Sequence, residues 1–271
     1  MTLQNSLLSE RLVGIYRFRG FIAGSVKREF ASRYRNSALG AAWLILQPLS
    51  QILVYTLVFS HVMRAHLASG AGPFSYSIFL CAGSLTWGLF TEIVGRGQNV
   101  FLDNATLLKK LSFPRLCLPI IVVLNAVVNF AIIFGLFTAF LLFSHTFPGW
   151  AYFALFPVLA VQALFAIGLG MVLGVLNVFF RDVGQFFGIV LQFWFWLTPI
   201  VYPLASLPAH IQGWVRLNPM TQMAVAYQDI LLHGTLPDWM SMLPVAIAGV
   251  VLCALGLLLF KRCAGELVDE L

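Results

Sequence analysis

The chain has 271 residues, of which 60% are hydrophobic and only 10% are charged. Soluble domains carry about 25% charged residues, so this composition excludes an ordinary soluble protein. In a soluble chain the net charge of +6 would suggest a nucleic-acid partner, but in a membrane protein the distribution of basic residues sets the topology. The length leaves room for about six membrane spans and no large soluble domain. We therefore predict an all-α integral membrane protein, with residues 1–271 as a single transmembrane domain that binds no nucleic acid.

Residues 1–36 form a basic arm with seven of the sixteen lysines and arginines, and they lack the apolar core of a cleavable signal peptide. Within the arm, the apolar residues Ile22, Val26, Phe30 and Tyr34 recur every four positions. This spacing is typical of an amphipathic helix that lies in the lipid headgroup layer. A solvated arm that only fixes the orientation of the chain is the alternative.

Six apolar stretches are the predicted spans, at residues 41–62, 74–95, 116–144, 152–180, 183–203 and 242–260. Fourteen of the sixteen basic residues lie in the arm, the second and fourth connections and the tail, whereas only Arg64 and Arg216 lie on the opposite side. Because basic residues accumulate in cytoplasmic segments, both termini are predicted to be cytoplasmic.

The fifth stretch is unusually aromatic. The charge pair Arg181 and Asp182 precedes it, and Pro199 and Pro203 interrupt its far end. Proline removes a backbone donor, so we expect the helix to lose its regular hydrogen bonding there. A cytoplasmic charge pair, an aromatic span and a broken outer end together predict the wall and mouth of a conduit. Aromatic side chains that only contact lipid or the membrane interface are the alternative.

Residues 204–238 are too polar and too often interrupted to cross the membrane directly, and they form the predicted extracytoplasmic gate region. Asn218 followed by Pro219 is a strong helix start, and the apolar stripe after it ends before Gly234. About fifteen residues cannot cross a bilayer of about 30 Å, so we predict a short interfacial or re-entrant helix that acts as a gate. A packing cap without a moving part is the alternative.

Polar residues inside the predicted spans are few. Gln47 with Gln51, and Asn125 with Asn129, are spaced four apart and either hydrogen-bond between helices or line a hydrated passage. Glu92 is the one acid well inside a predicted span, which is poor support for ion coupling. Gly170 and Gly174, also four apart, predict a close helix–helix approach.

Motifs for catalysis and for nucleotide binding are missing from the sequence. It contains neither GxxxxGK[ST] nor HExxH nor GxSxG, and its histidines and cysteines do not have metal-ligand spacing. We therefore expect no catalytic residue, no metal and no cofactor in this chain. The energy for any transport has to come from a partner.

The chain resembles the membrane permeases of type-2 ABC exporters, in the branch that exports lipid-linked polysaccharides and especially O-antigen. The resemblance extends from about Val26 to Leu259. Five segments carry it, in the family's order: VKREFASRYRNSALGAAWLILQPL, NVFLDNATLLKKLSFPRLCLP, NVFFRDVGQFF, LTPIVYPLASLP and LNPMTQMAVAYQDILLHG. At Gln228-Asp229 the chain departs from many relatives, which have an arginine before the acidic residue. This departure concerns the polar contacts of the gate helix, for which Asn218, Tyr227 and Asp229 are the candidate residues.

The resemblance implies a permease homodimer in the bacterial inner membrane, joined to two copies of a separate subunit that binds ATP and Mg²⁺. Residues 104–114 would form a coupling helix on that subunit, and the interfacial helix would bind the pyrophosphate of the lipid carrier, since guanidinium groups suit phosphate. Anionic headgroups are the alternative ligand of those basic residues. Spans one and five of the two protomers would wall a channel. The implied contact residues are Leu107, Leu108, Lys109, Lys110 and Phe113 for the ATPase; Lys27, Arg28, Arg33 and Arg35 for pyrophosphate; and Trp194, Trp196 and Tyr202 for the channel.

The expected cargo is undecaprenyl-linked O-antigen polysaccharide. Capsular polysaccharide and teichoic acid are alternatives within the same class. A membrane component of polysaccharide biosynthesis is the alternative from another class, although such an enzyme needs acidic or metal-binding residues that this sequence hardly offers.

Overall fold

The structure is a computed structural model that describes residues 18–34, 40–54, 74–110, 117–263 and 265–266. These residues are nearly all helical and include no β-strand. The α-helices are α1 (Arg19–Tyr34), α2 (Trp43–Val54), α3 (Ser75–Asp103), α4 (Ala105–Lys110), α5 (Cys117–Phe143), α6 (Leu155–Phe179), α7 (Asp182–Leu197), α8 (Ala209–Arg216), α9 (Pro219–Gln228) and α10 (Trp239–Cys263). Short 3₁₀ turns precede α2, α6 and α8.

The centre of the bundle is α6, which packs most extensively against α10 and α3. Glycines allow these helices to approach closely. A Cβ on Gly174 would lie 2.6 Å from the carbonyl oxygen of Gly97, and a Cβ on Gly97 would lie 3.0 Å from the Cα of Gly170. The predicted close approach at Gly170 and Gly174 is therefore confirmed, with α3 as the partner helix.

Among the described residues, four helical segments are long and apolar enough to cross a membrane: α3, α5, α6 together with its preceding 3₁₀ turn, and α10. The second predicted span, residues 74–95, lies almost entirely within α3, which continues as a helix to Asp103. The prediction ended the span at the charge of Arg96. In the fold that charge lies within α3 and is paired with Glu29 of α1 and Glu92 of α3 itself, so the helix continues past it.

Helices α2 and α7 correspond to the first and fifth predicted spans. α7 has 16 residues and is about 24 Å long, shorter than a bilayer core of about 30 Å. It ends at Leu197, just before Pro199, and not at residue 203 as predicted. For the first span, α2 is described as far as Val54, and the predicted remainder to residue 62 lies outside the described residues. That these two segments cross the membrane stays a prediction.

The gate region folds into two short helices. α8 lies mostly exposed, whereas α9 is largely buried and packs against α3. After Gln228 the backbone widens into a π-helical turn, Asp229–His233, which ends at Gly234 with φ of 64°. Glycine adopts this left-handed conformation without strain, which explains where the stripe of the sequence stops.

Candidate functional site

The outer end of α7 is held to the start of α9 by Asn218. The Asn218 side-chain oxygen accepts hydrogen bonds from the backbone N–H of Met220 at 3.0 Å and from the Trp194 indole N–H at 2.7 Å. Its amide nitrogen donates to the Thr198 hydroxyl at 3.1 Å. Asn218 is thus the N-cap of α9 and also a cross-link to α7. The predicted helix start at Asn218 and Pro219 is confirmed.

The two predicted channel tryptophans face different surroundings. Trp194 lies against the rings of Trp87, Phe90 and Phe187, and with its N–H bonded to Asn218 it is engaged inside the protomer. Trp196 is 62% exposed on the other side of α7. Of the two tryptophans, Trp196 is therefore the one whose ring is exposed at the surface of the chain.

The irregular segment after α7 is anchored to the bundle at several points. Ile200 is buried, and its backbone approaches Gly83 of α3 so closely that a Cβ there would lie 3.1 Å from the Ile200 Cα. The Tyr76 hydroxyl donates to the carbonyl oxygen of Val201 at 2.8 Å. Tyr202, a predicted channel residue, is partly buried, and its hydroxyl donates to the Trp196 carbonyl oxygen at 3.0 Å.

The inner face of the gate helix is fully buried. Tyr227 is completely enclosed, and its hydroxyl has no hydrogen-bond partner in the part of the chain that the structure describes. Gln228 donates to the Pro199 carbonyl oxygen at 2.9 Å, which fastens the end of α9 to the break after α7. Asp229 is partly buried. Its carbonyl oxygen accepts from the Thr235 N–H, and burial raises the pKa of its carboxyl, an effect that nearby His233 partly opposes.

The predicted coupling segment begins as the short helix α4. Leu108 is only 7% exposed, because it packs against Val100 and Phe101 of α3 and supports the segment from inside. Leu107 is 37% exposed, and Lys109 is exposed. Together with the exposed Thr106, these two residues form the described outer surface of α4. Lys110 is the last residue of α4, but its side chain is not among those that the structure describes. Phe113 lies outside the described residues.

The predicted pyrophosphate-binding residues belong to α1. Lys27 and Arg28 are both exposed, and Arg28 donates to the Ser25 hydroxyl at 2.8 Å. Arg33 lies on α1 with its side chain outside the description, and Arg35 is outside the described residues. α1 rests on α5 through Ile22, which is buried against Cys117 and Ile121. The apolar stripe of α1 therefore packs partly on protein, and Lys27 and Arg28 are exposed where an anionic group can reach them.

A polar cluster that the sequence did not predict joins α1, α3 and α5. Glu29 forms an ion pair with Arg96 and accepts a hydrogen bond from the Asn125 amide. Asn129 donates to Glu92 at 2.7 Å. Asparagines 125 and 129 thus make the interhelical bonds that were one of their two predicted roles. The signal available in the sequence was the presence of Glu29 and Arg96 beside apolar stretches, where a charge requires a partner.

A cavity of about 570 Å³ opens where α3, α6 and α7 meet, next to the start of α4. Its polar lining includes Gln98, Asn99, Arg181 and Gln185. Asn177 forms its base, donating to the Gln98 carbonyl oxygen at 2.9 Å and accepting from the Gly184 N–H at 2.9 Å. The two residues of the predicted charge pair lie in different places. Arg181 lines the cavity, whereas Asp182 is exposed in the first turn of α7, where a negative charge stabilises the helix.

The chain matches a known sequence family over most of its length. Residues 22–232 match the sequence family described as ABC-2 type transporter. The chain belongs to this family. It is accordingly a multi-pass membrane protein of the permease type, in agreement with its apolar helices.

Individual relatives match over nearly their full length. The chain is 32% identical to the O-antigen export system permease protein RfbA of Myxococcus xanthus over 260 residues, which are 95% of this chain and 97% of that protein. It is 27% identical to a Klebsiella pneumoniae protein with the same description, over 87% of this chain and 88% of the relative. It is 20% identical to the polysialic acid transport protein KpsM of Escherichia coli, over 86% of this chain and 90% of the relative.

Proposed function

We propose that this chain is the transmembrane subunit of an ATP-driven exporter that moves undecaprenyl-linked O-antigen polysaccharide across the bacterial inner membrane. The observation that carries the proposal is the alignment with two O-antigen export permeases along almost the entire chain. The lower identity to a polysialic acid transport protein makes capsular polysaccharide the second candidate cargo.

The proposed topology has six spans, with α2 and α7 joining the four longer apolar segments. The arm, α4, Arg181 and the end of α10 then lie in the cytoplasm, and α8 and α9 lie on the opposite side. The basic residues support this orientation, since Lys109, Arg181, Lys261 and Arg262 all fall at the cytoplasmic ends.

The proposed source of energy is a separate ATP-binding subunit, present in two copies beside a homodimer of this chain. Its contact on this chain is the outer surface of α4, where Leu107 supplies apolar area and Lys109 a peripheral charge. Because Leu108 is buried against α3, a displacement of α4 moves α3 with it. ATP and Mg²⁺ bind to the partner, and this chain supplies the path.

The proposed path begins at α1 and passes along α7. Lys27 and Arg28 are exposed and contact the lipid-linked pyrophosphate, for which their positive charges are suited. The polymer then slides past the exposed ring of Trp196, since a flat aromatic surface gives a sugar weak contacts that tolerate many orientations. α9 closes the outer end, where Asn218 and Gln228 fasten it to the end of α7.

The location of the polysaccharide in cells without this protein tests the proposed function. Labelled sugar and membrane fractionation should detect full-length lipid-linked polymer that accumulates on the cytoplasmic side, and the wild-type gene should restore surface polymer. Loss of the polymer itself would instead assign the chain to biosynthesis. Normal O-antigen at the surface together with missing capsule would instead make capsular polysaccharide the cargo.

Charge reversal on α4 tests the proposed contact with the ATPase. Lys109→Glu combined with Lys110→Glu should weaken co-purification of the ATP-binding subunit and lower export. Lys261→Glu combined with Arg262→Glu, at the cytoplasmic end of α10, is the matched control for the same change of charge on the same side of the membrane. If co-purification and export are unchanged in the α4 variant, α4 is not the contact.

A further inference from the structure

Charged and amide groups from three helices meet near the proposed cytoplasmic side. Arg96 of α3 pairs with Glu29 of α1, and the second Glu29 oxygen is held by the Asn125 amide of α5. A guanidinium nitrogen of Arg96 also lies 3.6 Å from Glu92, one turn earlier on α3, and Glu92 is bonded in turn to Asn129. The interfacial helix is thus tied by charge to one spanning helix and by a hydrogen bond to another.

These groups are partly shielded from solvent. The side chains of Arg96 and Glu92 are 25% and 16% exposed, Glu29 is 38% exposed, and Asn125 is almost completely buried. In such surroundings the removal of one charged partner leaves the other charge poorly solvated, whereas the removal of both can be neutral for stability. An ion pair also requires particular positions of its partners, which the apolar contact of Ile22 with Cys117 does not.

The pair lies on the helix that leads to the coupling segment. Arg96 is seven residues, or about 10 Å, before Asp103 at the end of α3, and α4 starts at Ala105. Leu108 is buried in an apolar cluster with Val100 and Phe101, which connects α4 to the end of α3. A displacement of α4 therefore reaches Arg96 through a continuous helix and reaches α1 through Glu29.

We propose that the Glu29–Arg96 pair is the mechanical link by which the coupling segment moves the interfacial helix. Glu29 is a positioning residue in this arrangement, and Asn125 fixes the direction of its carboxylate. The proposal rests on the proposed function, because it requires a partner that drives α4 and a cargo that passes α1. In this proposal, the movement that the ATP-binding subunit causes in α4 is transmitted to α1 by an ion pair that contacts neither ATP nor polysaccharide.

A double substitution separates a link from simple charge compensation. Glu29→Gln retains an acceptor for Asn125, and Arg96→Met retains the length and apolar stem of the side chain. Arg96→Met leaves both Glu29 and Glu92 without the charge of Arg96 and should lower the amount of folded protein, whereas Glu29→Gln leaves Arg96 paired with Glu92 and should lower it less. The double variant leaves only Glu92 without Arg96, and Glu92 is still bonded to Asn129, so this variant should accumulate in larger amount than Arg96→Met and should co-purify with the ATP-binding subunit.

A transport assay distinguishes a mechanical link from simple charge compensation. Inverted membrane vesicles that contain the complete complex and the cell's own labelled lipid-linked polysaccharide report both ATP hydrolysis and polymer uptake. For a link, the double variant hydrolyses ATP within about twofold of wild type but moves about tenfold less polymer per ATP. Equal polymer per ATP in the double variant and wild type would overturn the proposal. Ser32→Ala, an exposed change on the same helix, is the control.

A measurement on the unmodified complex covers the case in which the double variant does not accumulate. Hydrogen exchange of residues 19–34 and 105–110 is compared between the nucleotide-free and ATP-trapped states. A link requires exchange in both segments to change together, and a change confined to residues 105–110 would overturn the proposal. If the wild-type complex hydrolyses no ATP and moves no polymer, the proposed function has failed rather than the link.

Discussion

One side chain holds the start of the gate helix to α7, which makes Asn218→Ala the most informative substitution in the outer region. Loss of an N-cap costs about 1 kcal/mol. The substitution also leaves the partly buried indole N–H of Trp194 without its acceptor, which costs about 1–3 kcal/mol. We therefore expect a loss of about 2–4 kcal/mol, seen as a fall of about 5–10 °C in the thermal unfolding of the purified protein.

Asn218→Asp separates the acceptor role of the Asn218 side chain from its donor role. The carboxylate keeps the acceptor for Met220 and Trp194 and favours the N-terminus of α9, but it loses the amide that donates to Thr198. It should therefore unfold between wild type and Asn218→Ala. Gln222→Ala, which removes one exposed hydrogen bond to the Arg216 carbonyl oxygen, is the control and should unfold close to wild type. If Asn218→Ala unfolds at the wild-type temperature, Asn218 does not hold α9 to α7 and the reasoning is refuted.

Three further substitutions test the interior of the bundle by the same unfolding assay. Gly174→Ala should destabilise by about 1–3 kcal/mol, because its Cβ would lie 2.6 Å from a backbone oxygen of α3. A Cβ at Gly188 of α7 would meet no atom of the described residues within 4 Å, so Gly188→Ala is the control and should be neutral or stabilising; equal melting of the two variants would contradict the close approach. Tyr227→Phe should leave stability unchanged or raise it by up to about 1 kcal/mol, since its buried hydroxyl bonds to no other described residue, and a clear loss would mean that this hydroxyl has a partner. Asn177→Leu should lower stability by about 2–3 kcal/mol, because it breaks the attachment of the α7 N-terminus to α3, and wild-type melting would contradict that role.

The four long apolar helices and the start of α9 were predictable because they depend on local chemistry. Long apolar runs give α3, α5, α6 and α10, and a capping asparagine followed by proline gives the start of α9 at Asn218. Gly170 and Gly174 likewise predicted a close approach, although the sequence could not tell that α3 was the partner.

The boundaries and the polar contacts were harder to predict because they depend on residues far apart in the sequence. A charge at Arg96 ordinarily marks the end of a membrane helix, whereas in the fold Arg96 is paired with Glu92 and with Glu29, 67 residues earlier, and α3 continues to Asp103. Trp194 and Trp196 differ by two positions on one aromatic helix, and periodicity alone did not tell which of them bonds to Asn218. For the same reason the sequence assigned Leu108 to the surface of the coupling segment, whereas the fold buries it against α3.

The central claim is that this chain forms the path of an ATP-driven polysaccharide exporter. Inverted inner-membrane vesicles that contain the chain and its ATP-binding subunit test it most directly, with labelled lipid-linked O-antigen supplied on the outer surface. The account predicts that ATP causes the labelled polymer to become protected from added glycosidase, and that omission of this chain abolishes the protection. If polymer becomes protected equally without the chain, or if the complete complex with ATP protects none, the chain is not the path.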